Sequence, residues 1–384
     1  MIIVIADDLT GATELGGVAL RYNLQVEITN QIDVSITSGT DLLVINTDTR
    51  SMAIEQAMER LDNVLRWIKT LSFTHIFKKV DSVLRGHIVA ELTAQMLAIG
   101  AKRALLLPAN PRLGRTIRKG KYYVQDKPIH ETAFSCDPEF PVKNANVLEM
   151  LGAQGDVQIK SWSDTLPAHG LVVGEIATEQ DISKWVQIAP EDTLLAGGSS
   201  AFIAFLEHKA KALRCEPLEE NKSFTGFRRP SLYICGSNYE KSIQRIKAWR
   251  MVNEPVCYLP ISKPGENMDE EELYRWMERV KAALMHHQKA IIAFDNELVS
   301  SMPLTPSFLR ISMAKMVDRL LNEVTIQELI IEGGATAGTI LAHRQIGQLK
   351  PVEELAPGVI RCSIYKEPKI WITLKPGSYN WYML

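Results

Sequence analysis

A chain of 384 residues is long for a single hydrophobic core and predicts two domains. Hydrophobic and charged contents of 46% and 23% are those of a soluble protein, and a formal net charge of -2 gives no reason to expect nucleic acid or an anionic membrane as a bulk partner, so any anion binding must be local. The five cysteines, Cys136, Cys215, Cys235, Cys257 and Cys362, are odd in number and lack C-x-x-C spacing, which points to a reducing compartment and away from a disulfide frame or zinc site.

Met1 leads directly into Ile2 to Ala6 and then Asp7-Asp8, without the basic start, long apolar core and cleavage site of a secretory signal. No apolar run reaches the length of a membrane span, so a soluble cytoplasmic protein is expected. The β-branched run Ile2 to Ala6 predicts a strand buried on both faces of a parallel sheet. Asp7 to Glu14 forms the turn after it, and Leu15, Val18, Ala19 and Leu20 continue at helical spacing. Two adjacent carboxylates at a strand tip repel unless a cation, a proton or a ligand hydroxyl relieves them. The alternative is that Asp8 or Thr10 only caps the helix while Asp7 is solvated.

Strands are predicted over Gln25 to Thr29 and Asp41 to Asn46, the second ending in Thr47-Asp48-Thr49-Arg50-Ser51. Arg50 is therefore a candidate anion clamp. Ile54 to Thr70 carries Ala57, Leu61, Val64, Leu65 and Ile68 on one stripe, an amphipathic helix covering the sheet. The strand His75 to Val80 delivers Lys78, Lys79, Val80, Asp81, Ser82 and Arg85 to its end, followed by a helix from Ile88 to Ile99. In α/β proteins ligands gather beyond the carboxyl ends of strands, and an Arg beside Lys and Ser there suits a carboxylate or phosphate, with an Asp able to take a proton. An ordinary turn capped by Asp81 is the competing reading.

A fifth strand, Ala104 to Pro108, ends in Asn110-Pro111-Arg112-Leu113-Gly114-Arg115-Thr116. Four successive polar strand ends fit one anionic, hydroxyl-bearing small molecule. The stretch from Tyr122 to Pro141 has poor periodicity and is read as a hairpin or lid. Strands near residues 157–159 and 171–173, a helix over Glu179 to Ile188, the strand and glycine turn from Leu194 to Ser200 and a helix from Ala201 to Ala212 complete a first domain, residues 1–213.

Residues 214–230 are charged and turn-rich, the expected linker, and residues 231–384 restart as a second α/β domain. Ser231 to Cys235 predicts a strand turned by Gly236-Ser237-Asn238 into a helix from Tyr239 to Val252. A strand at Val256 to Leu259, a helix at Glu270 to His286, a strand at Ala290 to Phe294 and a helix at Phe308 to Val324 follow. His286 and His287 are read as exposed residues suited to a helix C-terminus, in preference to a metal site. Glu328 to Ile331 predicts a strand running into Glu332-Gly333-Gly334-Ala335-Thr336, a strand, twin glycines and a threonine before a helix, which can wrap phosphate oxygens. It is neither a Walker A loop nor G-x-G-x-x-G. The strand Lys369 to Leu374 meets Lys375-Pro376-Gly377-Ser378, a turn that could face the same nucleotide.

With Asp7-Asp8-Leu9-Thr10-Gly11, Lys79-Val80-Asp81-Ser82 with Arg85, Pro108-Ala109-Asn110-Pro111 with Gly114-Arg115-Thr116, Gly333-Gly334-Ala335-Thr336 and Lys375-Pro376-Gly377-Ser378 in order, nearly the whole chain resembles the four-carbon acid sugar kinase family. The resemblance implies an N-terminal domain for a sugar acid such as threonate, erythronate or an oxo-tetronate, and a C-terminal domain for ATP. Two α/β domains with mostly parallel sheets are expected, with the active site in the cleft between them. Substrate is placed against Asp7, Asp8, Arg50, Lys79, Val80, Asp81, Ser82, Arg85 and Arg115, and ATP against Ser237, Gly333, Gly334, Ala335, Thr336 and Gly377. The chain departs from the family at Ala335, where the loop commonly carries a glutamate, and at Tyr379-Asn380; Glu332 is the nearby carboxylate that could compensate.

On this reading Arg50, Arg85 and Lys79 hold the substrate carboxylate and the emerging phosphate. Asp8 or Asp81 takes the acceptor proton, and Mg²⁺ bridges the ATP phosphates. No protein ligand for the metal is assigned. The partners are the sugar acid and ATP, with no nucleic acid or membrane, and a homo-oligomer is compatible with the sequence. A nucleotide-linked oxidoreductase or lyase would need a dinucleotide fingerprint, and a non-catalytic sugar-acid sensor would not need the second-half phosphate loops. ADP release over a panel of four-carbon acids separates the three.

Overall fold

The computed structural model describes residues 1–137, 139–153, 157–209, 224, 226–237, 239–261, 269–302, 304–365 and 369–377. The chain divides into two compact units, Met1–Glu219 and Glu220–Leu384. Most of the expected linker, with Asn238, Ser378, Tyr379 and Asn380, lies outside the described residues.

The first unit runs β1 (Ile2–Ala6), α1 (Leu9–Arg21), β2 (Val26–Thr29), β3 (Leu42–Asn46), α2 (Ile54–Ile68), β4 (His75–Lys79), α3 (Ile88–Ile99) and β5 (Arg103–Leu107). It continues with β6 (Arg115–Arg118), β7 (Lys121–Val124), β8 (Lys127–Pro128), α4 (Val147–Met150), β9 (Val157–Lys160), β10 (Gly170–Gly174), α5 (Glu179–Ile188), β11 (Thr193–Gly197) and α6 (Ser199–His208). Its main sheet has the order β2-β3-β1-β4-β11-β5-β10-β9, all parallel. Strands such as β1 and β3 are buried at every position, because a parallel sheet is covered on both faces and its strands lose the alternation of half-exposed ones.

On one face Ile3, Ile5, Leu43 and Ile45 pack with Leu61, Val64, Leu65 and Ile68 of α2. On the other, Phe77 of β4 meets Phe202 and Phe205 of α6 at ring separations of 5.2 and 5.5 Å. Register then positions the site: Ala6 pairs with Asn46 on one side and Lys79 on the other, and Gly197 pairs with both Lys79 and Leu107. The carboxyl ends of five strands therefore lie in one row. The start of the segment read as a hairpin or lid falls in a separate antiparallel sheet, β6-β7-β8, whose first strand, β6, precedes that segment.

The second unit contains β12 (Ser231–Cys235), α7 (Glu240–Met251), β13 (Val256–Tyr258), α8 (Glu270–His287), β14 (Lys289–Ala293), α9 (Asn296–Ser300) and α10 (Pro306–Glu323). These are followed by β15 (Glu328–Glu332), α11 (Gly334–His343), β16 (Gln348–Ala356), β17 (Val359–Ile364) and β18 (Trp371–Lys375). Strands β13-β14-β12-β15-β18 are parallel, and β17 and β16 extend them antiparallel. Cys235 pairs with Ala293 and Glu332, and Glu332 with Lys375, again aligning carboxyl ends. Tyr233, Ile246, Ile291 and Ile330 share one core cluster, with Trp249 edge-on to Tyr233. Where this unit begins, buried Glu328 accepts from Arg361 Nε at 2.9 Å and from the backbone N–H of Arg228 at 2.7 Å, which ties residue 228 to the opposite end of the sheet from the glycine loops.

Candidate functional site

The row of strand ends in the first unit carries a cluster of paired charges. α1 starts at Leu9, directly after β1, because Asp8 caps it: Oδ1 accepts from the Gly11 N–H at 3.0 Å and Oδ2 from the Thr10 hydroxyl. Arg50, from the loop after β3, donates from Nε and Nη2 to the two oxygens of Asp7 at 2.8 and 2.9 Å, and from Nη2 to Asp8 Oδ1 at 2.7 Å. Its Nη1 lies 3.6 Å from Asp81 Oδ1. Arg85 grips Asp81 with Nε and Nη2 at 2.9 and 2.8 Å and reaches Asp137 with Nη1 at 2.9 Å. The Val83 and Arg85 backbone N–H groups also donate to Asp81, so this aspartate orders its own turn.

Beneath the cluster, buried Lys78 pairs with buried Glu91, which also accepts from the Thr49 hydroxyl. Thr49 bonds Thr47, and Thr47 Oγ1 donates to the Ala6 carbonyl at 2.9 Å, so these contacts hold the loop that presents Arg50. Lys79 Nζ donates to the Val80 carbonyl at 3.0 Å and stands 3.7 Å from Glu14. Val80 is buried, with its N–H on the Gly197 carbonyl at 3.1 Å. The small antiparallel sheet docks on Ser82: Arg115 of β6 donates to its hydroxyl and Tyr122 of β7 to its carbonyl.

The electrostatics separate the three aspartates. Burial pushes Asp7 up despite Arg50. Burial also opposes ionisation of Asp8, but Arg50, then Lys79 and the Thr10 hydroxyl, outweigh it and hold Asp8 below the usual carboxylate range. Asp81 is driven far below that range, since Arg85 and Arg50 together overcome its burial. Asp8 and Asp81 are thus fixed anions at neutral pH, able to accept a hydroxyl proton in a hydrogen bond.

In the second unit three strand ends converge. A Cβ on Gly236 would stand 2.0 Å from Thr336 Oγ1, and one on Gly377 would stand 2.4 Å from Ser237 Oγ, so glycine at both positions is what allows the β12, β15 and β18 ends to touch. Gly333, at φ 108°, makes the turn into α11, whose first residues are Gly334, Ala335 and Thr336. Free N–H groups at this helix start and the bare backbone of the adjoining turns form a cradle of the kind that takes phosphate oxygens. Ala335 is exposed and Thr336 is buried against Gly236. Glu332 does not compensate for the missing carboxylate at Ala335. It is buried, with Oε1 accepting from Lys375 Nζ at 2.8 Å and from Ser242, and Oε2 from Tyr233. Burial pushes the Lys375 ammonium down although Glu332 favours its charge. His286 and His287 end α8 as exposed residues, and among the described residues no group of three His, Cys, Asp or Glu side chains is placed to hold a metal ion.

Of the residues expected from the sequence, the structure joins Asp7, Asp8, Arg50, Asp81 and Arg85 in one network and Ser82 to Arg115, while Lys79 and Val80 form the layer behind them. The sequence gives Thr10 only a possible capping role and assigns none to Glu91, Tyr122 or Asp137, although Thr10 donates to Asp8, Glu91 pairs with Lys78, Tyr122 donates to Ser82 and Asp137 accepts from Arg85. The cap is Asp8, with Thr10 inside the helix bonding to it, and Tyr122 and Asp137 lie in the aperiodic stretch and carried no signal.

The chain thus holds two α/β units, one with a cluster of paired charges at its strand ends and one with a glycine-lined helix start at its own. Residues 2–206 match the family model described as a sugar-binding N-terminal domain, and residues 232–379 match the one described as a nucleotide-binding C-terminal domain. The chain belongs to this two-domain family, the four-carbon acid sugar kinases. It is 28% identical to a D-threonate kinase of Salmonella typhimurium, covering 90% of this chain and 84% of the relative. It is 23% identical to a 3-oxo-tetronate kinase of Pseudomonas fluorescens, covering 98% and 93%. A solved structure from Salmonella typhimurium has the same fold, with a TM-score of 0.78 at 19% identity over 99% of this chain and 96% of the other.

Two outcomes follow from the geometry. Gly236→Ala should destabilise the protein by about 1–3 kcal/mol, the usual cost of overpacking, seen as a lower midpoint in urea; an unchanged midpoint contradicts the close contact with Thr336. The depressed pKa of Asp81 contributes stability that is present above its ordinary value of 3.8 and is lost as pH falls through the folded value. The stability gap between wild type and Asp81→Asn should therefore be widest near neutrality and narrow in strong acid, and a gap that widens on acidification contradicts the assignment.

Proposed function

We propose that this chain is an ATP-dependent kinase that phosphorylates a hydroxyl of a four-carbon sugar acid of the threonate, erythronate or 3-oxo-tetronate type. The observation that carries the reading is the match of both family models in order along nearly the whole chain, with the D-threonate kinase relative aligned over 90% of it. The fixed carboxylates in the first unit and the glycine cradle in the second supply the chemistry such a reaction needs.

Phosphoryl transfer depends on placing the acceptor in line and neutralising charge, with little covalent work for the protein. We assign the acceptor hydroxyl to Asp8. Its side chain is 16% exposed, against 5% for Asp7 and 7% for Asp81, so it is the most accessible of the three carboxylates on Arg50. Its low basicity suits a loose transition state, in which the hydroxyl proton leaves late and the carboxylate mainly orients the oxygen. Asp81 holds Arg85 and Arg50 in place, and Arg85 offers charge to the substrate carboxylate. Asp7 fixes Arg50, and Ser82 with Arg115 borders the acceptor. Lys79, bonded to Val80, keeps positive charge behind Asp8.

The glycine cradle fits ATP: Ser237, Gly333, Gly334, Ala335, Thr336 and Gly377 would hold the phosphates through backbone N–H groups, with Ser237 adding a hydroxyl. ATP held there would supply the transferable phosphoryl group, and Mg²⁺ would supply the charge that neutralises its phosphates. With Ala335 in the loop and Glu332 engaged by Lys375, Ser242 and Tyr233, the chain offers the metal little direct help at this loop, and the ion would keep mostly phosphate and water ligands.

ADP release with threonate, erythronate and oxo-tetronate stereoisomers tests the reading. At least one acid should stimulate release, and Asp8→Asn should lower kcat by about 10²–10⁴ while leaving ATP affinity within a few-fold. Acid binding without any stimulated release would favour a non-catalytic sensor.

A further inference from the structure

One carboxylate at the acceptor cluster has no place in the reading above. Asp137 lies in the segment after β8, and its Oδ2 accepts from Arg85 Nη1 at 2.9 Å. Asp81 takes Nε and Nη2 of the same guanidinium, so Asp137 occupies the nitrogen that Asp81 leaves. Arg85 is also the more open of the two arginines, with its side chain 27% exposed against 13% for Arg50. Arg50 is turned inward, with Nε and Nη2 on Asp7 and Asp8 and Nη1 toward Asp81. A carboxylate arriving from solvent therefore meets a charge-assisted donor at Arg85 Nη1, and another carboxylate already stands there.

Asp137 is built to present that oxygen. Its Oδ1 accepts from the backbone N–H groups of Glu139 and Phe140 at 3.0 and 2.8 Å, which fixes the side chain and leaves Oδ2 to face Arg85. The same segment is held near Ser82 through Arg115, whose guanidinium lies over the Phe134 ring at 5.4 Å. Exchanging one carboxylate for another at Arg85 keeps the local charge balanced, whereas an Arg85 nitrogen with neither would leave a partly buried cation short of a partner.

We propose that Asp137 is a specificity-determining residue: an internal place-holder for the substrate carboxylate at Arg85, displaced when the acid binds. The inference rests on the kinase reading and deepens it, because it explains selection for an acid. A neutral polyol of the same length has no charge with which to displace Asp137, so Arg85 stays closed to it. A sugar acid replaces Asp137 and frees the segment that carries it.

Asp137→Asn separates the two jobs of this side chain. The amide keeps a carbonyl oxygen for the Glu139 and Phe140 N–H groups and replaces Oδ2 by an NH₂ group that cannot accept from Arg85. Calorimetric titration of the full chain with threonate and erythronate, without ATP, should show about tenfold tighter acid binding by the variant, the loss of one competing charge-assisted hydrogen bond. Titration with threitol, the neutral counterpart, should show no comparable gain. In the wild type, saturating acid should speed amide hydrogen exchange at Glu139 and Phe140, a response that a purely structural role for Asp137 would not give. Equal or weaker acid binding by the variant, an equal gain for threitol, or slower exchange at those amides would overturn the place-holder while leaving the kinase reading intact. Failure of either protein to bind any acid of the panel, with no acid-stimulated ADP release by the wild type, would overturn the kinase reading and the place-holder with it.

Discussion

The first unit turns on a single guanidinium. Arg50 bonds Asp7 and Asp8 and faces Asp81, three carboxylates from two different strand ends, while it is carried by the end of a third. Asp7 and Asp81 are buried and Asp8 is partly so, and without the arginine their mutual repulsion and desolvation would drive them toward the protonated state. The parallel register that sets Ala6 beside both Asn46 and Lys79 brings them within reach of one side chain. The hydrogen-bonded chain from Ala6 through Thr47 and Thr49 to Glu91 and Lys78 then fixes the loop on which Arg50 rides. An arginine that a sequence suggests as an anion clamp is bonded here to the protein's own carboxylates, and it holds Asp8 as a fixed anion at the strand ends.

The second unit uses the same device for a different end. Glu332 closes β15 and gathers Tyr233, Ser242 and Lys375 around it, binding together the three strands whose ends make the glycine cradle. With that carboxylate committed to the core, the cradle is left to backbone N–H groups, and Ala335 adds no side-chain charge to it. Charge is thus committed inside both units to holding strand ends in position, and what remains partly open is Asp8 and Arg85 in the first and bare backbone in the second.

Much of this was legible in the residues. Ile2 to Ala6 and Ser231 to Cys235 are buried at every position, as continuous β-branched and apolar runs predict, and Asp8 does cap its helix. The cap and the ligand readings of Asp8 are not exclusive: one oxygen serves Gly11 and Arg50 while the side chain remains the most open of the three carboxylates around Arg50. A sequence orders charges but does not pair them, so it could not show that Arg50 would meet aspartates from positions 7, 8 and 81. Residues 348–356 gave no strand signal because Pro351, Glu353 and Glu354 interrupt the apolar pattern, yet they form β16, which pairs with β17 and sets Glu353 against Arg361. Tyr122 and Asp137 were hidden for a related reason: their segment has no period, and their contacts are with a turn far away in the chain.

The central claim is that the acceptor cluster and the phosphate cradle serve a single transfer. Phosphorus NMR of a reaction mixture containing the chain, ATP and the acid it binds most tightly tests this directly, because it sees the product and not merely the loss of ATP. The account predicts one new phosphomonoester resonance on the four-carbon acid for each ADP formed. ATP converted to ADP and inorganic phosphate alone, with the acid recovered unchanged, would contradict it.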